Sequence, residues 1–291
     1  MANQVQKRLK IVILTDWYPS SSNPVEGIFI QELARAVSKF QSVIVLHNQG
    51  ADPGLENSWC LDLQENSSLT RGIKTYSFRY HPFSFHKTNL LVSIWYLIKA
   101  LRRIKKAEGK PDILHTQVYT TGFMGAIAGK ILGIPVVTTE HSSAFVRGHL
   151  STSEKIKARI GFQLSRVVVL VSTALKEAII EAGLKGNFWV IPNVVDEGLF
   201  VYRSKKNQKE QLRLLFVGLL GLSDNKGLPI LFQALEGYLD INTKWKLDIL
   251  GDGPGREKVE ELVTNSPISS YVTFHGMKTK PEVASFMHQA D

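Results

Sequence analysis

The sequence predicts an α/β protein made of doubly wound parallel sheets, with a second domain that is incomplete. Three observations carry this. Short, nearly continuous apolar runs alternate with helix-like segments along the chain, a polar aperiodic stretch from Tyr202 to Gln211 interrupts them, and only three further strand-helix pairs follow it. Apolar runs of this kind suit strands covered on both faces, where both rows of side chains enter the core. At 291 residues the chain is long for one core and comfortable for one and a half to two domains. The expected division is residues 1–200, a linker at 201–211 and a partial domain at 212–291.

In the first part, strands are expected at Lys10 to Leu14, Ser42 to His47, Ile113 to His115, Pro135 to Thr139, Arg166 to Val171 and Asn187 to Ile191. Helices are expected at Gly27 to Ser38, after the turn-rich PSSSNPVEG, and at Asn89 to Lys106, Thr121 to Leu132 and Ala174 to Ala182. Beyond the linker the strands are Leu212 to Val217, Lys246 to Leu250 and Tyr271 to Phe274. Each is followed by a helix, at Leu228 to Leu239, Arg256 to Thr264 and Pro281 to Gln289.

Composition narrows the class. A chain 44% apolar and 21% charged is globular rather than disordered. The single cysteine, Cys60, excludes an internal disulfide framework and fits a reducing compartment. Ile11 to Leu14 is too short for a signal-peptide core and runs into Asp16, and the longest apolar stretch, Leu90 to Leu101, is broken by Ser93 and Lys99. It falls short of the roughly 20 residues that span a bilayer. A cytoplasmic protein, peripheral on the inner membrane face, is the expectation.

The net charge of +9 is concentrated. From Arg71 to Lys110 there are ten Lys or Arg, including Arg102, Arg103, Lys105 and Lys106, against the one acid Glu108, which matches the whole excess. Tyr76, Phe78, Tyr80, Phe83, Phe85, Trp95 and Tyr96 are interleaved with these charges, a mixture suited to an anionic membrane surface. Against that stands a structural reading, in which the aromatics are core and Leu91, Ile94, Trp95, Ile98 and Leu101 form the buried stripe of a helix whose other face is basic. Nucleic acid is disfavoured as a partner, since no zinc spacing, RNA-recognition signature or arginine-glycine tract is present.

Several residues sit where parallel α/β sheets place ligand-binding groups. Gly27 opens a helix, His115 ends the strand ILHTQ, and Glu140 and His141 end the strand of TTEHSS. Asn193 and Asp196 lie at the domain junction, where they could simply shape a turn. Gly218, and Gly251 with Gly253 and Gly255, form glycine-bearing turns between strand and helix, the arrangement of a phosphate-binding ledge, and Lys226 adds a mobile cation to the first of them.

The order of these segments is more specific than any one of them. LKIVILTDWYP, EGIFIQELA, TTEHSS, VVVLVSTALKEAI, VIPNVVD, LLFVGLL with DNKGLPILFQAL, LDILGDGPGREKVEELV and VTFHGMKTKPEVASFMHQAD together resemble the nucleotide-sugar-dependent glycosyltransferases of family 4. The resemblance implies a GT-B fold, two Rossmann-like domains facing a cleft with acceptor in the first and sugar nucleotide mainly in the second. It also implies sugar transfer with retention of configuration and no metal or other cofactor, in keeping with the absence of any Asp-x-Asp pair. Carried over by position, it assigns Gly27 to backbone contact with the diphosphate, His141 to the reacting sugar and Lys226 to the leaving diphosphate. Gly218, Gly251 and Gly253 line the donor wall, and Met277 and Lys278 hold the nucleobase. His115, Glu140 and the basic residues from Arg102 to Lys106 fall on the acceptor or membrane side, with a lipid-linked or glycan acceptor as partner.

Two departures accompany it. Leu219 stands where the family commonly has an arginine, and the chain stops before the family's paired glutamates, so an incomplete donor site is expected, in a truncated product or a natural remnant. Exposed apolar surface around Leu250 and Phe274 is expected as well. The alternatives are a non-catalytic module that binds a sugar nucleotide or an anionic membrane, and a nicotinamide enzyme, which the Pro254 spacing does not suit.

Overall fold

The computed structural model describes residues 8–21, 23–65, 70–82, 89–202, 211–222, 226–239 and 244–291. Phe83, Phe85, Lys87 and residues 203–210 of the expected linker lie outside these. The chain divides into two compact units, Met1–Val194 and Val195–Asp291.

The first unit runs β1 (Lys10–Thr15), α1 (Ile28–Ser38), β2 (Ser42–Ala51), β3 (Trp59–Gln64), β4 (Lys74–Tyr80), α2 (Asn89–Glu108), β5 (Ile113–Gln117), α3 (Val118–Leu132), β6 (Val136–Glu140), α4 (Thr152–Leu164), β7 (Val167–Leu170), α5 (Thr173–Glu181) and β8 (Phe188–Val190). Its sheet has the order β3-β4-β2-β1-β5-β6-β7-β8, parallel throughout except where β3 pairs with β4. The order reverses between β1 and β5, so a crevice opens at their C-terminal ends. Along β1 the side chains alternate between two cores. Val12 and Leu14 pack with α2 and α3, and Ile13 packs with Ile30 and Ala34 of α1, so both faces are covered.

Three elements of this unit are additional to the sequence reading. KTYSFRY is not a surface segment but β4, an interior strand beside β2: Tyr76, Phe78 and Tyr80 enter one core, while Thr75 and Ser77 are buried on the opposite face. β3 adds an antiparallel edge to it. α4 has low apolar content and buries only Ala158, Gly161 and Phe162, but its start carries a capping box between Ser151 and Glu154.

The buried stripe of α2 is also corrected. Ile94, Leu97, Leu101 and Ile104 are inward, whereas Leu91 and Trp95 are 70% and 55% exposed. The inward row follows the three- and four-residue spacing that faces β4 and β5, and the row from Leu91 through Trp95 to Lys99 and Arg103 runs outside it. Lys99 Nζ and Arg103 Cζ each lie 4.3 Å from the ring centre of Trp59.

The second unit runs β9 (Gln211–Val217), α6 (Leu228–Glu236), β10 (Lys244–Leu250), α7 (Arg256–Thr264), β11 (Val272–Gly276) and α8 (Lys280–Gln289). Its strands form a parallel sheet in the order β11-β10-β9. Trp245, Leu247 and Ile249 pack with Leu228 and Phe232 of α6 and Val263 of α7. The exposure expected at Leu250 and Phe274 is not found: Leu250 is 1% exposed on the central strand, and Phe274 is half-buried against the same core. Exposed apolar groups of this unit include Leu219, Leu222 and Ile230 beside the β9–α6 turn and Met277 after β11.

The direction in which α2 faces sets a test. Leu101→Ala should lower the unfolding free energy by about 2–5 kcal/mol, while Leu91→Ala should change it by less than about 0.5 kcal/mol. Urea denaturation of both variants checks this, and equal losses would contradict the inward row.

Candidate active site

The site of the first unit begins at Gly27. Its φ is +63°, and a Cβ there would lie 2.2 Å from the carbonyl oxygen of Trp17, so only glycine allows the chain to turn into α1 at this point. As N-cap it offers no side-chain acceptor to the helix N-terminus. Within the first turn, the Phe29 ring lies 4.7 Å from that of His141, which brings the start of α1 and the end of β6 together.

His141 is held by a frame of buried polar groups. Its Nε2 is 2.9 Å from Oε1 of Gln117, the last residue of β5. Glu140 is fully buried: Oε1 accepts from the His141 and Ser142 N–H groups at 2.9 and 2.7 Å, and Oε2 from the Tyr119 N–H at 2.7 Å. Burial pushes the Glu140 carboxyl up to about 7, and the three N–H donors oppose the shift. Between Gln117 and Tyr119, Val118 is turned to φ +71°, a conformation unusual for a β-branched residue. His115, half-buried, shares a hydrogen bond of 2.7 Å with the Thr139 hydroxyl. Burial lowers His115 and His141 to about 4, with the nearby His141 adding to the effect on His115, so both rings are neutral at pH 7.

Beside this frame, Asp16 follows β1. Its carboxylate accepts from the Asn48 amide at 2.7 Å and the Thr120 hydroxyl at 3.2 Å, and burial raises its pKa. Gln117, Phe29 and Asp16 were not selected from sequence. A polar residue directly after an apolar strand was the available signal for Gln117 and Asp16; nothing local marks Phe29.

In the second unit Gly218, Gly251, Gly253, Met277 and Lys278 fall on one edge, at the C-terminal ends of β9, β10 and β11. Close backbone approach accounts for the glycines: a Cβ on Gly251, at φ +138°, would lie 1.8 Å from the Gly218 carbonyl oxygen. The N–H groups are already engaged, Gly218 with Leu250 O at 3.0 Å, Gly251 with Gly276 O at 2.9 Å and Gly253 with Asp252 Oδ1 at 2.8 Å. Neighbouring strand ends thus occupy the Gly218 and Gly251 donors, and the Asp252 side chain occupies that of Gly253, so these three N–H groups are not free for a phosphate. Lys226, exposed just before α6, lines a pocket with Leu219, Leu220, Pro229, Gly255 and Lys258. Lys258 brings a second cation to the pocket that Leu219 also lines.

Arg102, Arg103, Lys105 and Lys106 do not join His115 and Glu140. They occupy the last turns of α2, near Glu108, whose Oε1 binds Lys74 Nζ at 2.9 Å at the first residue of β4. That is the opposite end of the sheet from His141. Asp196 accepts from the Gly198 N–H at 3.2 Å, which makes it a turn-former. Among the described residues, no group of three His, Cys, Asp or Glu could hold a metal ion, and no helix is long and apolar enough to cross a membrane.

Parallel sheets in two units, with polar groups gathered at strand ends, define an α/β protein of the GT-B type. The chain belongs to glycosyltransferase family 4: the model described as Glycosyltransferase Family 4 matches residues 27–199, and that described as Glycosyl transferases group 1 matches residues 211–291. It is 26% identical over 200 residues to an alpha-monoglucosyldiacylglycerol synthase of Streptococcus pneumoniae, across 62% of this chain and 45% of the relative. It is 24% identical over 221 residues to a D-inositol 3-phosphate glycosyltransferase of Pseudarthrobacter chlorophenolicus, across 69% of this chain and 52% of the relative. The chain thus spans about half the length of these curated relatives. Among solved structures it resembles Anabaena HepE in complex with UDP and glucose, at TM-score 0.67 and 18% identity, over 98% of this chain and 73% of that one. Sucrose-phosphate synthase from Thermosynechococcus elongatus gives TM-score 0.68 at 17% identity, over 97% and 74%.

Two outcomes follow from the frame. Glu140→Gln replaces an acceptor oxygen with a donor facing an N–H group, and should cost about 1–3 kcal/mol of stability, measured by denaturant titration. Neutral His47, His115 and His141, each lowered to about 4 from 6.5, take up protons only on unfolding in that interval, so they make stability fall as pH drops from 6.5 towards 4. Glu140, raised from 4.5 to about 7, acts in the opposite sense between those values. The fall on acidification should be smaller in His115→Gln than in wild type; an equal fall would contradict a neutral His115.

Proposed function

We propose that this protein transfers a sugar from a nucleoside-diphosphate sugar to a hydroxyl of a lipid-linked or polysaccharide acceptor, with retention of configuration and without a metal ion. The observation that supports this most is His141, a neutral imidazole in a buried frame at the strand ends of the first unit, beside the first turn of α1. In this reading the bond between the anomeric carbon and the diphosphate oxygen breaks, and the acceptor oxygen bonds to the same carbon from the same face. The acceptor proton passes to the leaving diphosphate.

The charge that develops on the diphosphate is what the protein must stabilise. Lys226 supplies a fixed-sign countercharge, with Lys258 in the same pocket, and the N-terminus of α1 at Gly27 presents its dipole to a phosphate. Met277 and Lys278 hold the base. Cations of the protein then take the part that a divalent ion bound by an Asp-x-Asp pair would otherwise play. In favour of a uridine donor and a lipid acceptor stand HepE, a protein of like fold that binds UDP-glucose, and the related alpha-monoglucosyldiacylglycerol synthase.

The membrane side of the reading rests on α2. Leu91 and Trp95 stand exposed at its N-terminal half, and Arg102, Arg103, Lys105 and Lys106 follow towards its end. Each basic group near an anionic surface adds about 1 kcal/mol. Tyr76, Phe78, Tyr80 and Tyr96 take no part, since they are core. A peripheral position at the cytoplasmic membrane face follows.

Lys226→Ala should lower kcat/KM for a nucleotide sugar by about 10²–10³, and EDTA should leave the wild-type rate unchanged; radiolabelled transfer measures both, and loss of activity in EDTA would overturn the metal-free reading. Wild type should co-sediment with phosphatidylglycerol vesicles and lose that binding when Arg102, Arg103, Lys105 and Lys106 are all changed to Ser. Undiminished binding in that variant would remove α2 from the membrane role.

A further inference from the structure

Two buried polar atoms at the end of β5 and after β6 lack a hydrogen-bond partner: Nδ1 of His141 and the amide nitrogen of Gln117. They belong to the two side chains that bond to each other through Nε2 and Oε1 at 2.9 Å. Gln117 is 1% exposed, and its backbone is fixed on both sides of the peptide, because its N–H donates to the Thr121 hydroxyl and its carbonyl accepts from that hydroxyl. A side chain this well held, with a donor left over, is aimed at something outside the protein.

The chemistry of the pair defines what that partner is. An imidazole bonded to an amide oxygen through Nε2 carries its proton there, which leaves Nδ1 as a bare acceptor. The surrounding groups do not alter this. Phe29 of α1 covers the ring, His115 of β5 is neutral and bonded to Thr139, and both oxygens of Glu140 are occupied by the N–H groups of Tyr119, His141 and Ser142. One lone pair and one NH2 group thus remain. A hydroxylated ligand, which donates and accepts, satisfies both; a phosphate, which only accepts, satisfies the amide and faces the lone pair.

We propose that Gln117 is a positioning residue for His141, holding the imidazole proton on Nε2 so that Nδ1 accepts a hydroxyl proton of the bound sugar while the Gln117 amide donates to an oxygen of the same sugar. The ligand half rests on the assignment of His141 to the reacting sugar; the tautomer half does not. Gln117 acts through the state of the imidazole, so its replacement changes a protonation pattern as well as a rate.

Long-range 1H–15N spectra of the 291-residue chain labelled at histidine read the tautomer directly. At pH 7, His141 should show a protonated Nε2 and an unprotonated Nδ1, and Gln117→Leu should give an averaged or reversed pattern. A wild-type Nδ1–H or averaged ring, or a tautomer unchanged in Gln117→Leu, overturns the proposal without bearing on sugar transfer. Gln117→Glu places an anion at Nε2, raises the His141 pKa and adds the second proton on Nδ1 as pH falls. Its kcat/KM for the sugar nucleotide should therefore drop about tenfold between pH 8 and pH 6, the loss expected for one hydrogen bond, while wild type stays level. A level Gln117→Glu profile with the Nε2–H tautomer intact overturns the ligand half alone. Absence of any turnover by wild type would count against sugar transfer itself, and the spectra would still decide the pair.

Discussion

The carboxylate of Glu140 gathers three backbone N–H groups that would otherwise be buried without acceptors, and it does so from the last position of a central strand. One of them, Tyr119, lies in the first turn of α3, so the carboxylate also sits at a helix N-terminus, where negative charge is favoured. The ends of β5 and β6 are thereby fixed to one another, and Gln117 meets His141 as a result. The rest of the unit is arranged to let this happen. α3 lies close on the sheet because Gly125 and Gly129 stand where a Cβ would come within 2.3 Å of Thr116 and 2.4 Å of Val136.

Most of the alternating architecture could be read from the chain because strands buried on both faces are written as unbroken apolar runs, as in β1 and the first half of β2. β4 escaped for the opposite reason. Its outward-looking pattern of Thr, Tyr, Ser, Phe, Arg and Tyr describes a strand with aromatics on one face and small hydroxyls on the other, both of them covered. The same pattern in isolation describes a wet surface. α4 escaped because it buries only a narrow stripe, and its legible mark was the capping box rather than its hydrophobicity.

The site was legible to the degree that single residues at strand ends signal chemistry. Glu140 and His141 stand where that rule puts them, whereas His115 lies in the middle of β5, two residues short of the end that Gln117 occupies. Their relations were not legible, since Gln117 reaches His141 only through the pairing of β5 with β6, and Phe29 reaches it only through the fold of α1 onto the sheet. The glycine turns of the second unit show the converse. Their residue types suggested a ledge for a ligand, but the N–H groups of Gly218 and Gly251 bond to neighbouring strand ends and that of Gly253 to the Asp252 side chain, and the glycines are required for the closeness of the strands.

Val118 carries the remaining consequence. Its left-handed backbone costs on the order of 1–2 kcal/mol for a β-branched residue, and it is clamped on either side, by Thr121 at Gln117 and by Glu140 at Tyr119. A chain pinned on both sides of a high-energy residue cannot slip by one position without first releasing both pins. The junction of β5 and α3 therefore has one stable setting and no shallow neighbour, and whatever the Gln117 and His141 side chains bind meets them in fixed register.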